Sequence, residues 1–239
     1  MTRTKWIALA IVAVAAEAAC VRLGLFADPL PKLAGTAAWT TSRAAGVIAF
    51  AALTLDVMFG LFVSTGAFDR WIPRGASVDV HRWLSSVALG LVAVHSLALL
   101  GDATIHFDAL DTLVPGLSPY RPGGVALGTI GLYGMIVLHV SFGWRKRIGV
   151  RAWRALHFTA FAVFALGAIH GVLAGSDSGR GAMHAVYLGA VAIVTLLVIV
   201  RIALAITASR RSRQPDRRAD RHDGRHGDPA ASLAAAPRR

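Results

Sequence analysis

Long apolar stretches recur along the chain and dominate its hydrophobic pattern. Six of them have membrane-spanning length, at residues 6–25, 44–65, 83–100, 124–142, 155–174 and 183–207. A helix needs about 20 mainly apolar residues to cross the hydrocarbon core of a bilayer. The pattern therefore predicts an all-α fold, an integral membrane six-helix bundle at residues 1–208 that contacts membrane lipid.

The first stretch has two interpretations. Arg3 and Lys5 precede its apolar run, and residues 16–18 form a passable cleavage site, as in a signal peptide. The apolar character resumes at Val21, which favours a retained span. Orientation of the other five stretches is the same in both cases.

Lys and Arg are distributed unevenly between the loops. The 144–154 segment carries five of them and no acid, and the 66–82 segment carries three arginines. The 101–123 and 175–182 loops have one arginine each. By the positive-inside rule, both termini are predicted to lie in the cytoplasm, with the bundle in a bacterial-type cytoplasmic membrane.

Composition narrows the function class further. The net charge of +12 follows from the cytoplasmic segments, so it does not require nucleic acid as a partner. Residues 209–239 mix Arg and Asp with Gly, Pro and Ala, which predicts a disordered basic tail; contact with anionic lipid is the alternative. Cys20 is the only cysteine, which excludes an internal disulfide and a four-thiolate iron–sulfur cluster held by this chain alone. No glycine fingerprint of a dinucleotide-binding unit follows a strand.

Four histidines occur as two pairs on two of the predicted helices. His81 and His95 belong to the third span, and His157 and His170 belong to the fifth, with a spacing that is shorter by one position. At 1.5 Å per residue each pair extends over roughly 20 Å. Since both spans run outward, His81 matches His157 in depth and His95 matches His170. Two imidazoles at each of two depths are what two stacked six-coordinate haems require, so the pattern predicts haem sites between the third and fifth spans.

The angular positions of the two pairs differ. At about 100° per residue, the spacing in the third span brings His95 within about 40° of the direction of His81. The shorter spacing in the fifth span leaves His170 about 140° from His157. The fifth span is therefore predicted to contain a local distortion, or its haems approach from different sides.

Bis-histidine ligation indicates electron transfer. Two axial imidazoles leave no open iron position, which favours electron transfer over oxygen activation. Arg82 and Arg154, with Arg151, are candidate partners of the inner haem propionates; the alternative is that they are plain positive-inside anchors. Asp56 is a carboxylate within a span, suited to a quinone or a proton, or to pairing with a neighbouring Arg or His.

The chain resembles the ferric reductase-like transmembrane domain family, which includes the membrane parts of ferric reductases and NADPH oxidases and the haem subunit of bacterial methionine sulfoxide reductase systems. The strings that carry the resemblance are His81-Arg82-Trp83-Leu84 leading to His95, and Trp153-Arg154-Ala155-Leu156-His157 leading to His170-Gly171. The resemblance covers roughly residues 43–204.

This resemblance implies b-type haem at the four histidines and electron flow from the cytoplasmic to the outer side. Family members that are complete reductases carry FAD and NADPH domains after the last span, and no such domain follows here. A cytosolic flavoprotein, with FAD or FMN, or a quinol is then the expected donor, and the outer-side acceptor is unknown. The protein is expected to be the membrane subunit of an oxidoreductase.

Three alternatives stay open at this point. The first is a quinol-linked cytochrome, and the second is a haem-free membrane protein that uses buried histidines for protons or metal. In the third, one haem site is kept and the other lost. His139 lies near the depth of His81 and is interpreted as a packed residue, while His106 and His184 belong to the outer side.

Overall fold

A computed structural model describes residues 37–103 and 105–213. Those residues form seven helices: α1 Ala37–Thr65, α2 Arg74–Leu99, α3 Ala109–Leu113, α4 Pro122–Ile148, α5 Val150–Phe158, α6 Ala160–Ala174 and α7 Gly181–Arg213. The predicted span at 6–25, Cys20 and residues 214–239 of the predicted tail lie outside the described residues.

The predicted all-α class is confirmed in the part of the chain that the structure describes. Five segments there are long and apolar enough to cross a membrane, and α5 with α6 forms one of them. Each corresponds to one of the last five apolar windows in the sequence. The chain is therefore a multi-pass membrane protein, while the count of six spans depends on residues 6–25.

The helices are longer than the apolar windows that predicted them. α2 begins at Arg74 and not at residue 83, so His81 lies inside the helix, and α7 continues to Arg213, past the predicted start of the tail at residue 209. Backbone hydrogen bonding does not end where the hydrocarbon ends, and the windows mark only the apolar part. The short α3, which the pattern did not predict, begins with a capping box of Asp108 and Asp111.

Large apolar side chains cover the outside of the bundle. Leu55, Leu97, Ile130 and Leu196 are each about half exposed or more, and many others share this position. Such a surface is unfavourable in water and ordinary in lipid, where apolar side chains meet an apolar solvent. The exposed apolar surface supports the assignment to a membrane.

Helix α1 is the centre of the packing. One face places Ala49 and Ala52 against Val87, Ala88 and Leu91 of α2. Small residues of this kind let two helix backbones approach closely. The opposite face places Phe50 on Phe164 of α6 and Tyr187 of α7, with ring centroids 5.7 and 5.1 Å apart.

The two helices that carry the histidine pairs are separated from each other. α2 packs along α1, and α6 packs along α4, whereas no comparable backbone contact joins α2 to α5 or α6 in the described chain. We call the space between α2 and the α5–α6 segment, beside α1 and α4, the slot; its cavity lies at the end of His95 and His170.

Each end of the bundle has its own character. The basic end contains the 66–73 turn and the junction of α4 and α5 at Gly149; the loop end contains residues 100–103, 105–121 and 175–180. The chain divides into two compact units after Val198, and the described part of the second is the last portion of α7.

Candidate functional site: two histidine pairs

The four predicted histidines meet in two pairs, one nearer each end of the slot. The ring centroids of His81 and His157 are 6.0 Å apart with an angle of 85° between the ring planes. Those of His95 and His170 are also 6.0 Å apart, at 78°. These are the pairings that depth along the helices predicted.

His95 is held by the first turns of α1. Its Nδ1–H donates to the carbonyl oxygen of Ser42 at 2.7 Å. The imidazole lies directly against Gly46, where a Cβ atom would be 2.9 Å from Nδ1. The Ser42 hydroxyl lies 3.1 Å from the same nitrogen and donates to the His95 carbonyl at 3.0 Å.

His81 is held in the same way further along α1. Its Nδ1 is 3.1 Å from the carbonyl oxygen of Asp56, and the ring lies against Gly60, where a Cβ would be 3.2 Å from Cε1. The Asp56 carboxylate oxygen Oδ1 also lies 2.8 Å from Nδ1, a close contact without hydrogen-bond geometry. The predicted pairing of Asp56 with a neighbouring Arg or His is therefore confirmed, with His81 as the partner.

His170 repeats the arrangement on α4. Its Nδ1–H donates to the carbonyl oxygen of Gly124 at 2.8 Å, and a Cβ on Gly128 would be 2.6 Å from the same nitrogen. In all three cases a carbonyl at position i accepts from the histidine and a glycine stands at i+4. We call this arrangement a carbonyl–glycine seat.

The i+4 spacing of the seat has a physical reason. In an α-helix the carbonyl at i already accepts from the N–H at i+4, and one lone pair of the oxygen remains. A side chain at i+4 leans toward the helix N-terminus and covers that carbonyl. Glycine leaves the oxygen open to the imidazole.

The seats determine the histidine tautomer. A carbonyl oxygen only accepts, so Nδ1 must carry the proton, and Nε2 keeps its lone pair for a metal. Histidine ligands in metal sites have this arrangement, in which the second nitrogen donates to a carbonyl or carboxylate. His81, His95 and His170 are thus prepared as Nε2 ligands.

His157 is supported differently, by an aromatic ring. Trp153, one turn earlier on α5, stacks on its imidazole with ring centroids 4.9 Å apart and planes within 19°. The α-helix is interrupted at Thr159, between α5 and α6, so His157 and His170 belong to different helical segments. This break is the distortion that the shorter spacing of the second pair predicted.

The slot and the ring separations fit a haem. A metal–imidazole bond is about 2.0 Å, and a ring centre lies about 1 Å behind its nitrogen, so iron between two imidazoles separates their centres by roughly 6 Å. Both measured separations are 6.0 Å. Haem iron needs only two side-chain ligands, so the lack of a cluster of three or more His, Cys, Asp or Glu in residues 37–103 and 105–213 does not bear on this fit.

A cavity of about 180 Å³ adjoins the His95/His170 pair and reaches the loop end. Most of its wall is apolar or glycine, and its charged residues, Arg43 and Asp177, lie at the loop end. There Arg43 Nε donates to Asp177 Oδ2 at 2.8 Å, and both side chains are buried. Tyr120 also lines this end, and burial raises the pKa of its phenol.

The predicted arginines lie at the basic end. The Arg82 guanidinium lies 4.6 Å from the centre of the Phe142 ring and 3.7 Å from Asp79, and it is exposed. Arg154 is also exposed. Their assignment to haem propionates stays a prediction.

The other span and loop histidines stand apart from the two pairs. His139 is exposed, with Nδ1 3.5 Å from Ser85 Oγ, and His106 and His184 are exposed at the loop end. The positions of His106 and His184 agree with their assignment to the outer-side surface, whereas His139 is exposed and not packed as predicted.

Sequence reasoning missed the seats and the buried Arg43–Asp177 pair. One signal was readable, because Gly46 and Gly60 have the same spacing along the chain as His81 and His95. On antiparallel helices, equal spacings allow two matched contacts. No comparable signal pointed to Arg43, because Asp177 is 134 residues away in sequence.

Comparison with other proteins adds a family. Neither the curated proteins nor the solved structures contain a match to this chain. One family model, described as "Domain of unknown function (DUF8596)", matches residues 37–177, more than half of the chain. The matched region begins with α1 and includes all four paired histidines and Asp177. The chain therefore belongs to the DUF8596 family.

Proposed function

We propose that this protein transfers electrons across the cytoplasmic membrane through two b-type haems, each held by two histidines. The observation that carries the proposal is the pair of ring separations of 6.0 Å, at two depths of one slot. The seats add to it, because they leave Nε2 of three histidines unprotonated.

The residues of the chain have three roles in this function. Haem, when bound, supplies a one-electron ferric–ferrous couple. His81 with His157 and His95 with His170 would hold the two haems, and haem with two imidazole ligands would supply electron transfer rather than oxygen chemistry. The apolar walls of the slot exclude water, and the two sites stand roughly 20 Å apart along the helices.

The wider assignment follows the charge distribution and the resemblance. Three arginines in the 66–82 segment and five basic residues in 144–154 favour a cytoplasmic position for the basic end. Electrons would then enter at the His81/His157 site from a cytosolic flavoprotein or a quinol and leave at the His95/His170 site to an outer-side acceptor. This is the role of the membrane subunit of a ferric reductase-like system, with FAD or FMN only in the partner.

The test is a pyridine haemochrome assay on the detergent-purified full chain, with oxidised and reduced spectra. We expect two b haems per chain. A leucine at His81 or His157 should remove one haem, and a leucine at His95 or His170 should remove the other. His139→Leu is the matched control and should keep both.

Other results would change the assignment. One haem in the wild-type protein would leave a redox subunit with a single site. No haem after expression with adequate haem supply would contradict the proposal and favour the use of buried histidines for protons or metal.

A further inference from the structure

The two seats on α1 differ in a single functional group. Ser42 and Asp56 occupy the same position in their seats, and each is followed by glycine at i+4. The Ser42 carbonyl accepts a hydrogen bond from His95, and the Asp56 carbonyl accepts one from His81. The two side chains differ, because Ser42 has a neutral hydroxyl and Asp56 has a carboxylate.

The carboxylate is in direct contact with the histidine. Asp56 Oδ1 lies 2.8 Å from His81 Nδ1, and the Asp56 residue is only 8% exposed. At the other seat, the Ser42 hydroxyl donates to the His95 carbonyl, so it brings no negative charge to the imidazole.

A carboxylate at this position changes the electronic character of the metal ligand. A carboxylate 2.8 Å from the second nitrogen of a histidine ligand stabilises positive charge on that imidazole and so makes it a more basic ligand than one that faces only a carbonyl. A more basic ligand and a nearby negative charge both favour ferric over ferrous iron, and hydrogen bonding around the ligands is one of the levers that set haem potential. Burial strengthens the effect of the charge, because the local dielectric constant is low.

We propose that Asp56 is a positioning residue that makes the His81/His157 site the lower-potential site of the two and so drives electrons from the basic end toward the loop end. This inference rests on the proposed function. The step moves one electron from ferrous iron at the His81/His157 site to ferric iron at the His95/His170 site. No covalent bond forms or breaks, and a reduced flavin or a quinol resupplies the electron.

The experiment is a potentiometric titration of the purified holoprotein, monitored in the visible haem bands. Asp56→Ser gives the seat of His81 (the inner seat) the same residue as the seat of His95 (the outer seat). Asp56→Asn keeps the shape of the side chain without its charge. In both variants we expect the lower midpoint to rise by at least a tenfold change in the reduction equilibrium, about 59 mV for one electron. A His95→Leu background, which holds only the inner haem, identifies the site that shifts.

A substitution at the other seat tests the inference independently, in case the Asp56 variants fail to fold. Ser42→Asp adds a carboxylate at the outer seat and should lower the upper midpoint, so the two midpoints approach each other. Ser64→Ala is the control, since the Ser64 hydroxyl lies on the same helix and donates to the Leu61 carbonyl of its own preceding turn. It should leave both midpoints unchanged.

The outcomes separate this inference from the proposed function. Two haems with unchanged midpoints in Asp56→Asn and in Ser42→Asp would overturn the role of Asp56 and leave the two-haem assignment intact. A wild-type protein without haem would overturn both. A purely structural role for Asp56 predicts altered haem content or melting temperature with unshifted potentials, and that result also contradicts the inference.

Discussion

At the scale of single residues, the histidine sites depend on the absence of a side chain at three glycines. Gly46 and Gly128 each face an imidazole at a distance that leaves no room for a methyl group, and at Gly60 a methyl group would make a tight contact of 3.2 Å. Tight approaches of this kind resist even one added carbon, because the surrounding helices cannot relax freely. Gly128 is the closest of the three.

Gly128→Ala should therefore disrupt the His95/His170 site. The new Cβ would lie 2.6 Å from His170 Nδ1, so the imidazole must leave its seat. We expect loss of about one of two haems, with destabilisation of roughly 1–3 kcal/mol from overpacking. Haem content and thermal unfolding in detergent measure the two effects.

Gly143→Ala is the matched control on the same helix, since nothing lies within 4 Å of its added Cβ. It should keep both haems. Equal haem loss in the two variants would contradict the role assigned to Gly128.

The Arg43–Asp177 pair is the second residue-scale feature that supports the site. Both side chains are buried, at 9% and 8% exposure, and they join α1 to the loop after α6. Asp177→Asn should destabilise the protein by about 3–5 kcal/mol, because removing one partner leaves a buried charge uncompensated. Thermal unfolding in detergent is the measurement.

Asp69→Asn is the matched control for that measurement. Its partner Arg74 is 63% exposed, and an exposed pair contributes about 0–1 kcal/mol. Similar shifts for both variants would mean that the Arg43–Asp177 pair is screened by water and does not support the site.

At the scale of elements, the spacing of the two seats on α1 matches the spacing of the two histidines on α2. These seats, Ser42 with Gly46 and Asp56 with Gly60, are separated along the chain by the same distance as His81 and His95. Both seats fit at once only if α1 is an uninterrupted helix between them. In the α5–α6 segment, His157 and His170 are instead positioned on two helical segments that are separated by a break at Thr159.

One alanine inserted after Ala51 should test this register. The insertion turns one seat by about 100° relative to the other, so α1 can hold only one histidine correctly. We expect loss of one haem per chain in the haemochrome assay. The same insertion after Arg70, in the exposed turn between α1 and α2, should keep both haems. Loss of a haem in this control would contradict the importance of the seat spacing on α1.

At the scale of the whole molecule, charge separates the two ends of the bundle. The basic end carries the arginine-rich segments, while the loop end carries Asp102, Asp108, Asp111 and Asp177 against few basic residues. The positive-inside rule converts this asymmetry into a direction in the membrane. The proposed electron path depends on that direction.

Cysteine labelling should establish the direction in a Cys20→Ser background. Leu117→Cys lies at the loop end and Val150→Cys at the basic end, and both native side chains are more than half exposed. A membrane-impermeant maleimide should label Leu117→Cys in intact cells and Val150→Cys only after permeabilisation. The opposite pattern would reverse the proposed path.

Some features of the fold and of the site could be predicted from the sequence, and others could not. The five described spans and the two histidine pairs follow from patterns within single helices, since helical rise depends only on residue count. The need for a distortion between His157 and His170 was predictable for the same reason, but its position at Thr159 was not. The lengths of α2 and α7 were underestimated, because hydropathy marks the hydrocarbon and not the helix end.

What the sequence by itself determined is the class of protein and the depth of its four histidines, because apolar length and residue spacing are properties of one helix at a time. The tertiary structure decided which backbone carbonyls hold the histidines, which glycines make room for them, and that Asp56 rather than Ser42 brings a charge. Those facts depend on how α1 and α4 pack against α2 and α6. Contacts between distant parts of the chain are set by three-dimensional packing, and local periodicity does not encode them.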